Sequence, residues 1–390
     1  MLYDAIVVGL GAAGSATTFQ LARRGAKVLG IDRFSPPHTN GSSHGETRIT
    51  REAIGEGDAY VPLVRRSHRL WREIEAAAGV ELFTVTGGLT IGVADGAGRH
   101  HGVDFLRRTV ECAERFGVVH ERLDAAAIRA RFPQFRLRGD ESGYFEPGAG
   151  FLRPERCIAA QLALAQAAGA RLATDEQVLG FAAAGNGDAI EVRTTRANHL
   201  ARALVLAVGP WLSRLLDPAL GAAYQVHRQV QYWFDVAEAH ERYAPGRFPA
   251  FIWMYGEREA DFLYGIPAID GPGGGLKVAS EQYEATTDPD AVERSVSEDE
   301  VQAMYDKVAG RLREVGPRLV RAKTCLYTTT PHRGFVVDRH PALPRVTIAS
   351  PCSGHGFKHS AALGEALAQR LTEGASEIDL APFALSRLAG

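Results

Sequence analysis

The chain contains little cysteine. Its four cysteines, at positions 112, 157, 325 and 352, are far apart among 390 residues and form no Cys-x-x-Cys pair. Zinc sites and disulfide frameworks need closely spaced or paired cysteines, so the pattern argues against both, and we expect no metal. A single cysteine is most often a small buried apolar residue. Only Cys325 receives a functional prediction below.

The chain also lacks a strong charge of either sign and a long apolar run. It has 44 Lys and Arg against 46 Asp and Glu, a net charge of -2, which provides no general field for nucleic acid or an anionic membrane. No apolar run approaches the roughly 18 residues that span a bilayer. Met1 leads almost directly into an apolar strand, without a signal segment. We therefore expect a cytoplasmic protein with neither nucleic-acid nor membrane partners.

What the sequence does contain is a dinucleotide-binding unit at its start. An apolar strand pattern at 3–8 ends in Gly-Leu-Gly-Ala-Ala-Gly, a helical pattern follows, and a second strand ends at Asp32. Gly9 makes the tight turn, Gly11 lets a pyrophosphate approach, and Gly14 allows close packing of helix on strand. The helix N-terminus would face the phosphates, and Asp32 would bond the ribose hydroxyls.

Apolar periodicity predicts the remaining organisation. Helical spacing occurs at 61–78, 105–116, 155–168, 298–313 and 360–371, and strand-like runs occur at 200–208 and 345–350. The stretch from 225 to 277 is rich in β patterns. An α/β nucleotide-binding domain thus opens and closes the chain, and a β-rich insertion interrupts it. Two interleaved domains fit the length of 390 residues.

A glycine-rich cationic loop follows the nucleotide-binding unit. Residues 41–51 read Gly-Ser-Ser-His-Gly-Glu-Thr-Arg-Ile-Thr-Arg and carry His44, Arg48 and Arg51. Glycine lets the backbone come close to a ligand. Three cations on such a loop suit a planar electron-rich cofactor and an anionic substrate.

Several longer motifs point to a family. They are residues 36–51 and 55–63, Tyr-Gly-Ile-Pro at 264–267, Gly-Leu-Lys at 275–277, Cys-Leu-Tyr-Thr at 325–328, Ser-Gly-His-Gly-Phe-Lys at 353–358, and residues 379–387. With these motifs in this order, the chain resembles the monomeric sarcosine oxidase and N-methyltryptophan oxidase group of flavoproteins, in the D-amino acid oxidase superfamily. The resemblance runs nearly from end to end.

The resemblance implies an α/β fold in which a Rossmann-type FAD-binding domain (1–85, 145–220 and 320–390) is interleaved with a β-rich, α+β substrate domain (86–144 and 221–319). It implies a monomer with FAD joined covalently through its 8α-methyl to Cys325, whose thiolate is a suitable nucleophile if cations lower its pKa. The cofactor-binding residues that it implies are Gly9, Gly11, Gly14, Asp32, Ser43, His44, Arg48, Val178, Cys325, Gly354, Gly356, Phe357 and Lys358.

The resemblance also implies catalytic roles. Lys277 matches a lysine that assists the reaction of reduced flavin with oxygen, and His44 and Arg48 match residues beside the flavin ring. Arg51 and Lys358 match the pair that binds a substrate carboxylate. The arginine offers a planar guanidinium with bidentate hydrogen bonding, and the lysine offers a compact ammonium charge. Aromatic lining of the substrate cavity is implied for Tyr264 and Tyr327.

The chain departs from the family pattern in two places. The family usually carries a histidine four residues after the lysine at the oxygen site, and Glu281 stands here. An acid near the cavity could pair with a substrate amine or repel its carboxylate. The loop before Lys277 is also extended.

The function implied is an FAD-dependent oxidase of secondary amino acids, N-methyl or cyclic, that forms an imine and reduces O₂ to H₂O₂. A flavin- or NAD-dependent dehydrogenase that does not use O₂ is the alternative, although NAD chemistry leaves Cys325 and the C-terminal Gly-Lys turn without roles. A third hypothesis is a non-catalytic nucleotide-binding protein. The sequence does not choose among sarcosine, N-methyl aromatic amino acids, cyclic imino acids and sugar-amine adducts.

Overall fold

The computed structural model describes residues 1–93, 99–100, 103–185 and 187–389. The strands are β1 Leu2–Val8, β2 Val28–Ile31, β3 Arg48–Thr50, β4 Phe83–Val85, β5 Gly88–Val93, β6 Arg99–His100, β7 Val103–Asp104, β8 Glu121–Asp124, β9 Glu141–Glu146, β10 Gly150–Leu152, β11 Arg171–Ala173, β12 Val178–Ala184, β13 Ala189–Thr194, β14 Asn198–Leu206, β15 Gln225–Phe234, β16 Ala250–Met254, β17 Phe262–Ile266, β18 Leu276–Ala279, β19 Leu319–Thr329, β20 Val336–His340 and β21 Leu343–Ser350.

The α-helices of these residues are α1 Ala12–Ala22, α2 Val61–Ala78, α3 Phe105–Phe116, α4 Ala125–Arg131, α5 Pro154–Ala167, α6 Pro218–Gly221, α7 His240–Tyr243, α8 Glu298–Ala309 and α9 Ser360–Thr372. Short 3-10 turns lie at Asp58–Tyr60, Gly209–Arg214, Ala237–Ala239, Phe357–His359, Ala381–Phe383 and Leu385–Ala389. In the described part of the chain, no helix has the length and apolar character that crossing a bilayer requires.

The first sheet is the expected Rossmann-like one. Its strands β11, β2, β1, β14 and β21 run parallel, and the antiparallel strands β12, β13 and β20 extend it. Helix α1 packs between α5 and α9. A Cβ at Gly364 would lie 2.5 Å from Ala16, so glycine permits the close approach of α9 to α1. The predicted α/β class is confirmed by this architecture.

The second sheet has the order β19-β15-β18-β17-β16-β5-β9-β8 and is antiparallel except where β16 runs parallel to β5. Phe135 packs on Phe248 and Phe251, and these rings form part of its buried core. The chain thus enters this sheet in two separate stretches. Strand β19, which begins at the expected domain boundary near 320, pairs with β15 along its length.

Element bounds follow the sequence patterns closely. Helices α2 and α3 have the predicted bounds, and most others differ by one or two residues. Helix α8 ends at Ala309, four residues earlier than expected, because the chain turns at Gly310. A small antiparallel sheet of β3, β10 and β4 joins the cationic loop to the rest of the molecule.

Candidate active site

The glycine turn between β1 and α1 needs glycine for steric reasons. Gly9 has φ +84°, and a Cβ there would lie 2.5 Å from the carbonyl oxygen of Ala207. A Cβ at Gly14 would lie 1.7 Å from the carbonyl oxygen of Gly9. The backbone can therefore fold tightly over the ends of the parallel strands, where an open α/β sheet binds ligands.

Asp32 is part of the same turn. Its buried carboxylate accepts hydrogen bonds from the backbone N–H of Leu10 at 2.7 Å and of Phe34 at 2.8 Å. Ser43 Oγ accepts another from the N–H of Ala12 at 3.3 Å. These bonds tie the cationic loop and the end of β2 to the start of α1.

One long cavity runs from the glycine turn to the segment before α9. Of the residues predicted for the site, those on its wall are Gly9, Gly11, Asp32, Ser43, Arg48, Arg51, Val178, Tyr264, Tyr327, Gly354, Gly356, Phe357 and Lys358. Four other predicted residues do not line it, namely Gly14, His44, Lys277 and Cys325. The structure therefore brings together residues from all parts of the chain.

The cationic loop is clamped from both sides. Glu155 accepts from the N–H groups of Gly45 and Glu46 at 2.7 and 3.0 Å. Lys277 Nζ donates to the carbonyl oxygens of Gly45 and Thr47 at 2.6 and 2.8 Å. Burial, followed by the nearby Arg48, lowers the pKa of Lys277 well below its usual range. The lysine thus sits under the loop, held by peptide carbonyls.

His44 and Arg48 behave differently from each other. Burial, reinforced by the charges of Arg48 and Lys277, lowers the pKa of His44 to about 3. The expectation of a cation at His44 is therefore wrong, because the imidazole is neutral at physiological pH. Arg48 lies on the cavity wall and donates to the carbonyl oxygens of Ser42 and Thr47, both at 2.8 Å.

Arg51 and Lys358 meet at one end of the cavity, with Glu56 between them. Arg51 Nη2 lies 3.0 Å from Glu56 Oε2, and Lys358 Nζ lies 3.6 Å from Glu56 Oε1. Burial lowers the pKa of Lys358 to about 8, and Glu56 opposes that shift. Arg51 Nε and Nη1 find no hydrogen-bond partner among the residues described. The pair thus retains capacity for a further acceptor.

A second polar cluster surrounds Glu281 on the same wall. Tyr283 donates its hydroxyl to Glu281 Oε2 at 2.7 Å, the Tyr327 hydroxyl lies 3.5 Å from Oε1, and His100 Nε2 lies 3.7 Å from Oε2. Burial raises the pKa of Glu281 to about 7. The acid expected near the cavity is therefore on its wall.

Cys325 is buried on β19, opposite Gln229 of β15. Alternate residues of a strand face the same side, so Cys325 points to the face from which Tyr327 reaches the cavity. The charges of Arg48 and Lys277 lower the pKa of the thiol, but burial has the larger effect and the net shift is upward. Arg48 and Lys277 thus act on this pKa in the direction that the attachment requires, but in the protein alone desolvation of the thiolate outweighs them.

Sequence reasoning missed Glu56, His100 and Tyr283 as site residues. Glu56 lies in the quoted 55–63 motif, and its position five residues after Arg51 is a signal that could have found it. Tyr283 follows Glu281 at the strand spacing of two. His100 has no such signal, because it meets Glu281 across 181 residues of chain.

The residues of the cavity fit an FAD molecule. The glycine turn offers a close approach for phosphates at a helix N-terminus. Ser42 Oγ and Thr47 Oγ1 lie in residues that line the cavity, and within the described part of the chain neither atom has a hydrogen-bond partner. Donors of this kind, together with Arg48, suit the polar edge of a flavin ring. In the described residues no group of His, Cys, Asp and Glu side chains could hold a metal ion.

The whole of this architecture matches a known family. Residues 4–370 match the family described as FAD dependent oxidoreductase. The chain belongs to this family of FAD-dependent oxidoreductases. FAD is therefore the cofactor for which the glycine turn and the long cavity are built.

Relatives within the FAD-dependent oxidoreductases have names that agree with the resemblance. The chain is 38% identical over 388 residues to monomeric sarcosine oxidase of Streptomyces avermitilis, covering 99% of this chain and 98% of the relative. It is 35% identical over 401 residues to N-methyl-L-tryptophan oxidase of Salmonella dublin, with both chains fully covered. The chain thus belongs to the sarcosine oxidase and N-methyltryptophan oxidase group.

A solved structure supports the same placement among the FAD-dependent oxidoreductases. NikD, described as an unusual amino acid oxidase essential for nikkomycin biosynthesis, superimposes with a TM-score of 0.84 at 27% identity. The match covers 98% of this chain and 97% of NikD.

Proposed function

We propose that this protein oxidises a secondary amino acid, N-methyl or cyclic, to an imine and passes the electrons to O₂ to give H₂O₂. The observation that carries the proposal is the Arg51–Lys358 pair at one end of the FAD cavity. The relatives named above act, by their names, on sarcosine and N-methyl-L-tryptophan. FAD supplies a two-electron acceptor that O₂ can reoxidise.

Carboxylate binding is assigned to Arg51 and Lys358. Arg51 has two donor nitrogens without partners among the described side chains and backbone, and Lys358 is cationic below its pKa of about 8. A carboxylate that bridges the two would accept charge-assisted hydrogen bonds, and their Glu56 partner keeps both cations in place when the site is empty. The aromatic rings of Tyr264 and Tyr327 then border the rest of the substrate.

Covalent attachment of FAD is assigned to Cys325. Its position two residues before Tyr327 on one face of β19, together with Arg48 and Lys277 nearby, supports this role. Gly9, Gly11, Gly14, Asp32, Ser43 and Val178 would hold the nucleotide, and the turn at Gly354 and Gly356 would meet the flavin ring with Arg48. Lys277, held at Gly45 and Thr47, would supply the charge that helps electrons pass to oxygen.

A panel of amines tests the function. Purified protein, yellow with flavin, is mixed with sarcosine, N-methyl aromatic amino acids, cyclic imino acids and sugar-amine adducts. We expect at least one secondary amino acid to bleach the flavin without oxygen and to release H₂O₂ in its presence. Bleaching without reoxidation by O₂ would instead indicate a dehydrogenase, and no bleaching by any amine would contradict the proposal.

Gel fluorescence tests the covalent bond. Denatured protein separated on a gel should fluoresce as flavin, and Cys325→Ser should release all of its FAD on acid treatment. Cys352→Ser is the matched control, because Cys352 also lies on the cavity wall and should leave the flavin attached. Fluorescence that persists in the Cys325→Ser protein would rule out this attachment site. Gel filtration tests the expectation of a monomer.

A further inference from the structure

The cluster around Glu281 has no part in carboxylate binding or in FAD binding as described above. Its members come from separate segments: Glu281 and Tyr283 follow β18, Tyr327 lies on β19, and His100 lies on β6. Two tyrosine hydroxyls lie at hydrogen-bond distance from one largely buried carboxylate, at 2.7 and 3.5 Å, and the His100 imidazole lies 3.7 Å from it. Such an arrangement fixes the position of a carboxylate inside a ligand cavity.

One phenyl ring, that of Phe105, contacts both this cluster and the carboxylate site. The guanidinium of Arg51 lies 5.2 Å from the ring centroid of Phe105, and the imidazole of His100 meets the same ring edge to face at 4.9 Å. The other side of His100 stacks on Phe262 at 4.2 Å. Arg51 and Glu281 line the same cavity, so the amine of an amino acid bound at Arg51 can face the Glu281 cluster.

Once the charges at this end of the cavity are balanced, the protonation state of the substrate amine is what remains to be set. Arg51 and Lys358 are balanced by Glu56 and by a bound substrate carboxylate. The Glu281 carboxyl group, with His100 3.7 Å from it, and the substrate amine are the further groups at this end that can exchange a proton. The pair is neutral overall in two forms, carboxylate with ammonium or carboxylic acid with amine, and these forms differ only by one proton transfer. Burial favours the uncharged form of the pair.

We propose that Glu281 accepts the proton of the substrate's secondary ammonium, and that Tyr283, Tyr327 and His100 hold its carboxylate in position. The N–H bond breaks, an O–H bond forms on Glu281, and the electron pair stays on nitrogen as a lone pair. Only the neutral amine can release a hydride equivalent from the adjacent carbon. This assignment rests on the proposed function, since it requires an amine substrate.

The groups that face Glu281 set the pH range of this step. Burial raises the pKa of Glu281 to about 7; Tyr283 and Tyr327 lower it by hydrogen bonding, Glu56 raises it and Lys358 lowers it by charge. His100 and Tyr264 complete the surroundings. A base with a pKa near the working pH is the efficient choice for general base catalysis. Glu281 fulfils this condition where an exposed glutamate would not.

The rate of flavin reduction tests the proposal. Wild type and Glu281→Gln are mixed without oxygen with the best amine of the panel, from pH 6 to 10. We expect the Gln variant to reduce its flavin roughly 10²-fold more slowly at pH 7, and to recover as the pH approaches the pKa of the free amine. Glu281→Asp, which keeps a carboxylate, should recover part of the rate. Equal rates at pH 7 in wild type and Gln variant would overturn the proposal.

Binding of a ligand without an N–H group gives an independent test. In methoxyacetate an ether oxygen replaces the amine, so the ligand keeps its carboxylate but accepts rather than donates at that position. Its affinity, followed by the flavin absorbance, should fall as the pH rises through about 7 in wild type, because Glu281 then loses the proton that it donates. In Glu281→Gln the fall through pH 7 should be absent, and only the later fall near pH 8 that comes from Lys358 should remain. A fall through pH 7 of the same size in both proteins would contradict the assignment.

Tyr283→Phe tests the positioning role. The Tyr283 hydroxyl lowers the pKa of Glu281, so its loss should move the wild-type midpoint for methoxyacetate to higher pH. An unchanged midpoint would remove Tyr283 from the proposal. If no amine reduces the flavin of the wild type, the proposed function fails. If an amine reduces the flavin of the wild type normally and that of Glu281→Gln at the same rate, only this inference fails.

Discussion

Two buried lysines of the active site have very different surroundings. Lys277 does not line the cavity, and its hydrogen-bond partners are the carbonyl oxygens of Gly45 and Thr47. Lys358 lies on the wall, within 3.6 Å of the Glu56 carboxylate. Burial lowers the pKa of both: to about 8 for Lys358, where Glu56 opposes the shift, and well below the usual range for Lys277.

The difference indicates what each lysine is suited to do. A lysine paired with a carboxylate keeps its charge in the resting site and can exchange partners with a substrate anion. A lysine bonded to neutral carbonyls has no bonded carboxylate to offset burial, so negative charge that arises nearby stabilises its charged form further. The first arrangement fits binding, and the second fits a step in which charge develops, such as electron transfer to oxygen.

Replacement of Lys277 should give the largest effect. In Lys277→Met we expect reduction by amine to stay near the wild-type rate and reoxidation by O₂ to slow by about 10²–10³-fold, because a preorganised charge is lost. Stopped-flow absorbance at the flavin band separates the two half-reactions. Lys323→Met is the matched control. Like Lys277, Lys323 lies near the ring of Trp233, at 5.9 Å, but it is partly exposed. Equal slowing in both variants would show that the effect comes from losing any positive charge in this region and not from Lys277 in particular.

Replacement of Arg51 should weaken binding and spare the oxygen reaction. Arg51→Met loses a charge-assisted contact, which costs roughly 10–150-fold in affinity for a carboxylate ligand. The loss should largely vanish for an uncharged amide analogue of the same ligand. Arg65→Met is the control, because Arg65 forms a comparable ion pair with Glu52 at 2.9 Å outside the cavity. If the amide analogue lost as much affinity as the acid, Arg51 would not bind the carboxylate.

The pH dependence of carboxylate binding should report Lys358 and Glu56, with a smaller effect. In a Glu281→Gln background, affinity for methoxyacetate should be constant at low pH and fall as the pH rises through about 8, where Lys358 loses its proton. Adding Glu56→Gln removes the group that raises this pKa. The midpoint should therefore move to lower pH, as measured by titration of the flavin spectrum. A midpoint that does not move would show that Glu56 has no influence on Lys358.

The sequence was sufficient for the nucleotide end of the molecule and insufficient for the substrate end. The glycine turn and helices α2 and α3 could be predicted because each depends on neighbours along the chain. The neutral state of His44 could not be predicted, because the pKa of this side chain depends on its burial in the folded protein. The contact of His100 with Glu281 depends on how β6 is placed against the loop after β18, and no local pattern encodes that placement.

Attachment at Cys325 of β19 would give FAD a structural task as well. This strand belongs to the second sheet, while the glycine turn closes the first. A flavin bonded to Cys325 and held at Gly9 would be attached covalently to the second sheet and bound non-covalently to the first. Because such a ligand cannot diffuse away, its stabilising effect does not fall on dilution as that of a free ligand does. The two sheets would then melt together in the attached protein, and Cys325→Ser would make their joint stability depend on the concentration of free FAD.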